Sequence, residues 1–550
     1  MYIADIPTYT KDKKLSHVSI LLRHSYRENG KNKTRTIANL THEDPEVVAM
    51  LRWALQNKEK VKGMQNFEND LVRHINSKSI ASVYLIYELL KRTGIEKALG
   101  KSFEAKLAMY QIIARIIQRG SRLSAVRLAE NYAICEVLGI KEKFTEDDLY
   151  KNLKWLTKNQ SKIESKYFKL RYKDKCPDLF LYDVTSSYLE GTHNRLGRYG
   201  YNRDKKKGKL QVVAGLLCDV EGYPVSVKLF EGNTLDYKTV SEEINQLTDE
   251  FGCQKITLVG DRGMIKGKQI EELDKVGFFY ITAITKSQID KMLNEDTLAM
   301  SFFDEKLHEV KSENIRYIMK RNPVRAKEIQ NNRESKKQAI NTLCTKKNIY
   351  LSAHPRSKPE TAIKEVNQKI KSLKIESWLK ARIEGRELII DFNEKKFQEE
   401  SLLDGCYVIK SNLTDEISKE TIHARYKDLA FVEQAFRCCK TELLEFRPWF
   451  VQLEDSTRGH ALIVMLSYII IKLLKEYWKE IDNTVNEGLD ILSKLCLQEV
   501  TLQNKIIYYE IVEPSATEKK FLKAANVKLP KGVPFLNTKV RSRKKLKRKA

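Results

Sequence analysis

The chain has 550 residues, 42% of them hydrophobic, which is enough for several domains and a large core and excludes a disordered polypeptide. Lys and Arg number 99 against 73 Asp and Glu, a formal charge of +26 that points to a polyanionic partner, nucleic acid ahead of an anionic membrane surface. The nine cysteines are scattered without a CxxC pair, so neither a zinc ribbon nor a disulfide framework is expected, and reduced thiols in a cytosol fit best.

In chain order, residues 1–75 alternate in strand fashion. The run HVSILLRHSYRENGKNKTRTIANL holds Asn29-Gly30 between two such stretches, a strong hairpin signal. The hairpin is basic, and either a DNA-contacting or a purely structural ribbon fits it. Residues 76–175 read as helices. AKLAMYQIIARIIQRGSRLSAVRLAENYAICEVLG carries apolar residues at three-and-four spacing, with Arg115, Arg119, Arg122 and Arg127 interspersed. Two helices joined at Gly120 make either a DNA-reading unit or part of a bundle with solvated arginines.

Over 176–290 the period changes to two. LFLYDVTSSYL, LQVVAGLLCDV, YPVSVKLFEGN, KITLVGDRGM and GFFYITAITK follow at short intervals. The first three read as antiparallel neighbours with Glu221-Gly222 in a turn. A helical run over 237–251 precedes the fourth, and GKQIEELDKVG separates the fourth from the fifth. The pattern predicts a mixed α/β sheet. Residues 291–404, rich in Lys, Glu and Asn, read as an insertion with helical patterns such as ETAIKEVNQKIKSL and an isolated strand, RELIIDF. Residues 405–480 return to the sheet domain with GCYVIKSNL and then the helix ARYKDLAFVEQAFRCCKTELLEF. The greasy run ALIVMLSYIIIKLL, 461–474, is too short for a membrane span and contains Lys472, so a buried core helix is expected. Residues 481–550 form a C-terminal region ending in the basic tail VRSRKKLKRKA, expected to be disordered.

Two acids stand out by context. Asp183 follows LFLY inside a strand, and Asp261 ends KITLVG where a strand meets a loop. Charges there are costly unless paired or bound to metal, although a turn-capping Asp is the plainer reading of either alone. In the quoted helix Phe431, Val432, Ala435, Phe436, Cys439 and Leu443 share an apolar side. Tyr426, Glu433 and Lys440 recur every seven residues, which leaves them only about 20° short of two full turns apart. Arg437 flanks Glu433, and Glu442 points to the opposite side. Such a row, at the edge of an apolar face, looks into a crevice beside the sheet, where Glu433 can meet Asp183 and Asp261. Three carboxylates without a His or Cys ligand set point to Mg²⁺ or Mn²⁺, two such ions sitting about 4 Å apart on a phosphodiester, with Lys440 and Tyr426 on phosphate oxygens. The competing reading is a surface salt bridge from Glu433 to Arg437 or Lys440.

Four ordered stretches, YDVTSSYLEG, GYNRDKKKGKLQVVAGLLCDVEGYPVSVKLFEGNTLDYKT, LVGDRGM and YKDLAFVEQAFRCCKTELLEFRP, together resemble the DDE transposases of bacterial insertion sequences. The nearest branch is the IS-four-like superfamily, in particular the group numbered sixteen thirty-four. The resemblance runs from the Asn29-Gly30 hairpin to about residue 475. It implies an RNase H-like catalytic fold, interrupted by an insertion before the glutamate helix and preceded by a mainly helical DNA-binding region. It makes Asp183, Asp261 and Glu433 the catalytic and metal-holding acids. The family's helix signature is Tyr, two residues, Arg, three residues, Glu, six residues, Lys. Tyr426, Glu433 and Lys440 fit it, but Leu429 takes the Arg position, which leaves Arg437 and Arg262 as candidates for the missing phosphate contact. Trp449 either stacks on an extruded base or packs in the core. His193, His423 and His460 are read as local groups and not as metal ligands. The expected activity is metal-dependent cleavage at the element's ends, followed by attack of the freed 3′-hydroxyl on target DNA. The partners implied are terminal inverted repeats, target DNA and a second copy of the chain, in a bacterial cytoplasm. The rival expectations are an inactive DNA-binding derivative and an RNase H-like nuclease without strand transfer.

Overall fold

In the computed structural model of the chain, Asn29 and Gly30 both take positive φ, 48° and 76°. This is the backbone that a two-residue hairpin turn requires, and it suits Asn followed by Gly. The turn joins β2 (Leu15–Glu28) to β3 (Lys31–Asn39), and β1 (Tyr2–Tyr9) pairs antiparallel with β2. A helix, Pro45–Gln56, follows, with the Asp44 side chain accepting from Glu46 N and Pro at its first turn. Every residue is described except 11–13, 59–72, 174, 442–443, 445–448, 503–504, 534–535, 537 and 543–550. Leu443, Glu442 and most of the basic tail therefore lie outside the described residues. The chain forms two units, one of Met1–Ser77 with Leu497–Val512, the other of Lys78–Cys496 with Glu513–Ala550. In the first, β4 (Arg73–Ser79) shares a three-stranded sheet with the strands Cys496–Leu502 and Lys505–Ile511.

The second unit begins with helices, including Ala81–Arg92, Phe103–Ile117, Arg122–Asn131 and the long Glu146–Tyr172. Of the arginines around Gly120, Arg127 is exposed and Arg119 half-buried, but the other two depart from the solvated reading. Arg115 and Arg122 are buried, Arg115 donating to Gly120 O at 3.0 Å and Arg122 lying 2.9 Å from His460 Nδ1. These two brace helices instead of facing water. Periodicity missed this because a long guanidinium on an apolar face can turn inward when carbonyls and an imidazole meet it.

The central sheet has eight strands. In chain order the first five are β5 (Leu179–Tyr188), β6 (Gln211–Asp219), β7 (Pro224–Glu231), β8 (Thr257–Gly260) and β9 (Phe279–Ala283). Next come β10 (His308–Ser312), β11 (Ile315–Arg321), a separate hairpin of β12 (Leu379–Glu384) and β13 (Glu387–Phe392), and finally β14 (Cys406–Ser411). The spatial order is β10-β11-β14-β9-β8-β5-β6-β7. β5, β6 and β7 are antiparallel neighbours, whereas β8 runs parallel to both β5 and β9. A parallel step needs a crossover, and the helices Asp236–Asn245 and Gly267–Lys275 supply the two of them. Val240 and Ile244 of the first pack with Phe180, Tyr182, Val184, Val213 and Leu217 on one face of the sheet.

The inserted region is also corrected. β10 and β11 belong to the main sheet, and RELIIDF is not isolated, because β13 pairs with β12. What leaves the sheet is a small body with its own core of Ile340, Val366, Ile370, Trp378 and Leu379. The cysteine reading is corrected in part: Cys176 and Cys253 form a disulfide across a Cα–Cα distance of 6.0 Å, while the other seven cysteines remain thiols. They precede β5 and β8, and the parallel pairing of those strands brings together positions 77 residues apart, which spacing alone cannot show. The helix Glu454–Tyr477 is long and apolar enough to cross a membrane by composition, yet Leu462, Ile463, Ile469 and Ile470 are wholly buried inside the unit.

Candidate active site

The register of β5 and β8 aligns Tyr182 with Gly260. One residue further along each chain come Asp183, still inside β5, and Asp261, just past the end of β8, so the two acids leave neighbouring parallel strands at the same end. Asp183 is partly buried and accepts the Val184 N–H at 2.7 Å. Asp261 lies at the open end of β8, where its Oδ1 accepts the Arg262 N–H at 2.6 Å and the Tyr426 hydroxyl at 3.3 Å.

The run read as one helix is two, Lys419–Lys427 and Leu429–Lys440, which meet at Asp428. The Asp428 N–H reaches back to Ala424 O at 3.1 Å, and Phe431 N takes a short-range bond to Asp428 O at 2.9 Å. This tightening leaves the row of three in use. Tyr426 meets Asp261, Glu433 lies within Coulombic reach of Asp183, and Lys440 arrives at β5. Val432, Ala435, Phe436 and Cys439 bury the opposite side, while Phe431 is 38% exposed. Among the described residues Glu433 makes no ion pair, so the surface salt bridge to Arg437 or Lys440 is not formed. Lys440 pairs with Asp204 at 3.1 Å.

Burial raises the Asp183 carboxyl to about 7, and the like charges of Asp261 and Glu433 push the same way against the Val184 N–H and the Arg203 charge. Burial, then Asp261, also raises the Tyr426 phenol. The three acids thus feel one another's fields. Among the described residues no group of three or more His, Cys, Asp or Glu side chains, these three acids included, is close enough together to hold a metal ion. The donor set is all carboxylate oxygen, the chemistry that suits a hard divalent cation.

Beside Asp261 opens a groove of about 530 Å³ whose walls include Arg203, Arg262, Lys266, Tyr201 and Tyr237. Arg203 pairs with Asp236 at 2.7 Å. Arg437 is exposed on the helix close to Glu433. Sequence reasoning missed Arg203 and Asp204; their run, YNRDKKKGK, has the look of a solvated basic loop, and only its position between two central strands was a signal. Trp449 is 1% exposed and meets His460 edge-on, so it packs in the core. His423 lies 2.6 Å from the Tyr407 hydroxyl and is lowered to about 4 by burial, and His193 is exposed.

Comparison with known proteins gives the family. Residues 174–470 match the family model described as Transposase DDE domain, and residues 5–69 match IS1634 family transposase, N-terminal domain. No curated protein matches the chain. Among solved structures, a cryo-EM structure of the piggyBac transposase synaptic complex with hairpin DNA is similar at a TM-score of 0.36 and 10% identity, over 72% of this chain and 70% of that one. With more than half of its length inside the first family and its opening segment inside the second, the chain belongs to the DDE transposases, in their IS1634 group, and is an enzyme that acts on DNA.

Proposed function

We propose that Asp183, Asp261 and Glu433 are the catalytic and metal-holding acids of this transposase, set in an RNase H-like core. The order β7-β6-β5-β8-β9, three antiparallel strands followed by two parallel ones, supports that core. The observation that carries the reading is the parallel β5–β8 pairing, whose last pair, Tyr182 and Gly260, immediately precedes Asp183 and Asp261, together with the charge of Glu433 felt at Asp183. Asp183, Asp261 and Glu433 would hold Mg²⁺ or Mn²⁺, as two ions, which would supply Lewis acidity at a phosphodiester. The chain's own groups bind and orient. Tyr426 holds one oxygen of Asp261 and leaves Oδ2 without a partner among the described residues. Arg262, Lys266 and Arg437 offer cations to phosphate oxygens along the groove and the helix. The element's strand is cut first, and its 3′-hydroxyl then attacks target DNA in the same site. Residues 1–75, 76–175 and the inserted region read the terminal repeats, and joining two ends calls for at least a dimer.

A labelled duplex bearing the element's end, incubated with the full-length protein and Mg²⁺ or Mn²⁺, tests this. Nicked and then joined products are expected. Binding without nicking in Mn²⁺ means an inactive DNA-binding protein, and cutting without joining means a simple nuclease.

Two smaller effects follow from the same groups. Tyr426→Phe removes the hydroxyl from Asp261 and is expected to slow single-turnover cleavage about tenfold, with a stability change under about 1 kcal/mol. Asp183, whose carboxyl is raised in the fold, favours the folded state fully below its unfolded value of 3.8 and loses that contribution as pH rises through about 7. In EDTA at pH 8, Asp183→Asn is therefore expected to be more stable than wild type by about 1–2 kcal/mol, reduced from the full shift by partial exposure. Mg²⁺ is expected to raise the thermal midpoint of wild type but not of Asp183→Asn. An equal Mg²⁺ response in both proteins would remove Asp183 from the metal site.

A further inference from the structure

Beyond the end of β8, one edge of β5 has no strand beside it among the described residues, because β8 matches β5 only over Leu179–Tyr182. A pair of side chains and a stretch of backbone meet the groups left there. Lys440 Nζ donates to Ser186 O, Tyr188 N donates to Asp204 Oδ2 at 3.2 Å, and Lys440 Nζ pairs with Asp204 Oδ1 at 3.1 Å. The two side chains are 10% and 3% exposed. Further along, Trp449 N donates to Tyr188 O at 3.1 Å. An ammonium for a carbonyl and a carboxylate for an N–H thus finish a ladder that a neighbouring strand would otherwise complete.

The spacing gives this clamp a consequence for the acids. Ser186 lies three residues past Asp183 on β5, roughly 10 Å along a strand. Lys440 lies seven residues past Glu433, about 10.5 Å along a helix. Strand and helix therefore advance by the same length between their acids and the clamp. We propose that Asp204 is a positioning residue for Glu433, holding the glutamate helix against β5 through Lys440, and that the signature lysine of this chain works inside the protein and not on DNA. The proposal rests on the reading of Asp183 and Glu433 as catalytic acids.

The test uses full-length wild type, Asp204→Asn, Lys440→Met and the double variant, with a labelled duplex carrying the terminal repeat that borders the coding sequence. Cleavage at saturating DNA is expected to fall about 100-fold in each variant, the size of a small misplacement of a reacting group. The Mg²⁺ concentration for half-maximal cleavage is expected to rise. Affinity for the duplex, and the slope of its logarithm against log salt, should stay as in wild type. The double variant should be no slower than either single one, because the two residues act as a unit, and it should melt above the more damaged single variant because it does not strand one member of the buried pair. It keeps the test open where a single variant fails to fold. A lysine on phosphate predicts otherwise: Lys440→Met would weaken binding and lower the salt slope by about one, which would overturn the proposal. Faster or unchanged cleavage by Asp204→Asn would overturn it as well. Absence of cleavage by wild type itself would instead strike the underlying functional reading.

Discussion

Asp183→Ala is expected to abolish strand cleavage in Mg²⁺, by about 1,000-fold or more, while leaving affinity for the element's end within about twofold. The size follows from the place of the carboxylate. Asp183 is the partly buried member of the three acids, anchored in the middle of β5 with Leu216 opposite it on β6. A residue that supports a metal ligand from behind is commonly worth 10–100-fold, so loss of a ligand itself must exceed that. Binding should survive because attraction to a polyanion comes from cations such as Arg262, Lys266 and Arg437, and an Asp contributes only repulsion to phosphate. A gel cleavage assay paired with a mobility-shift titration reads both quantities. Cleavage retained within tenfold would take Asp183 out of the chemistry, and a parallel loss of binding would mean that the substitution had damaged the fold instead.

Much of the site's frame is legible in the sequence. Alternation over LFLYDVTSSYL and its successors marked five strands, and the two acids stood out because a charge in or just past an apolar strand is hard to explain by packing. The seven-residue row showed which side of the helix lies beside its buried face. Periodicity names a face, however, and says nothing about what lies opposite. The partner of Lys440 is Asp204, 236 residues earlier in the chain. The Cys176–Cys253 bond depends on a parallel register, and the burial of Arg115 and Arg122 depends on carbonyls and an imidazole contributed by other segments. β10 and β11 were missed for a related reason. HEVKS and IRYIMKR are short and charged, and they become strands only because β14 offers an edge to pair with. The break at Asp428 carries neither Pro nor Gly, so no local signal announced it.

Gly459→Ala is expected to destabilise the protein by about 3 kcal/mol, and Gly459→Val to prevent folding. Gly459 sits near the start of the helix Glu454–Tyr477, where a glycine costs about 1 kcal/mol relative to Ala. A Cβ built there lands 2.1 Å from Leu153 O, on the backbone of the helix Glu146–Tyr172. Backbone inside a helix cannot swing aside as a side chain can, so the two helices must separate and lose contact along their buried faces. The shift would be felt near the acids. Asn194, in the chain leaving β5, donates to Thr457 Oγ1 at 2.7 Å and to Val451 O at 2.9 Å, and Arg458 donates to Leu229 O of β7 at 2.8 Å. Cleavage should therefore fall along with stability in Gly459→Ala. Gly267 provides the control, since it opens a helix with nothing within 4 Å of an added Cβ, and Gly267→Ala should match or exceed wild type in stability. Urea melts followed by tryptophan fluorescence separate the two. If both glycines tolerate alanine equally, the close crossing of these helices is not what holds the sheet in place.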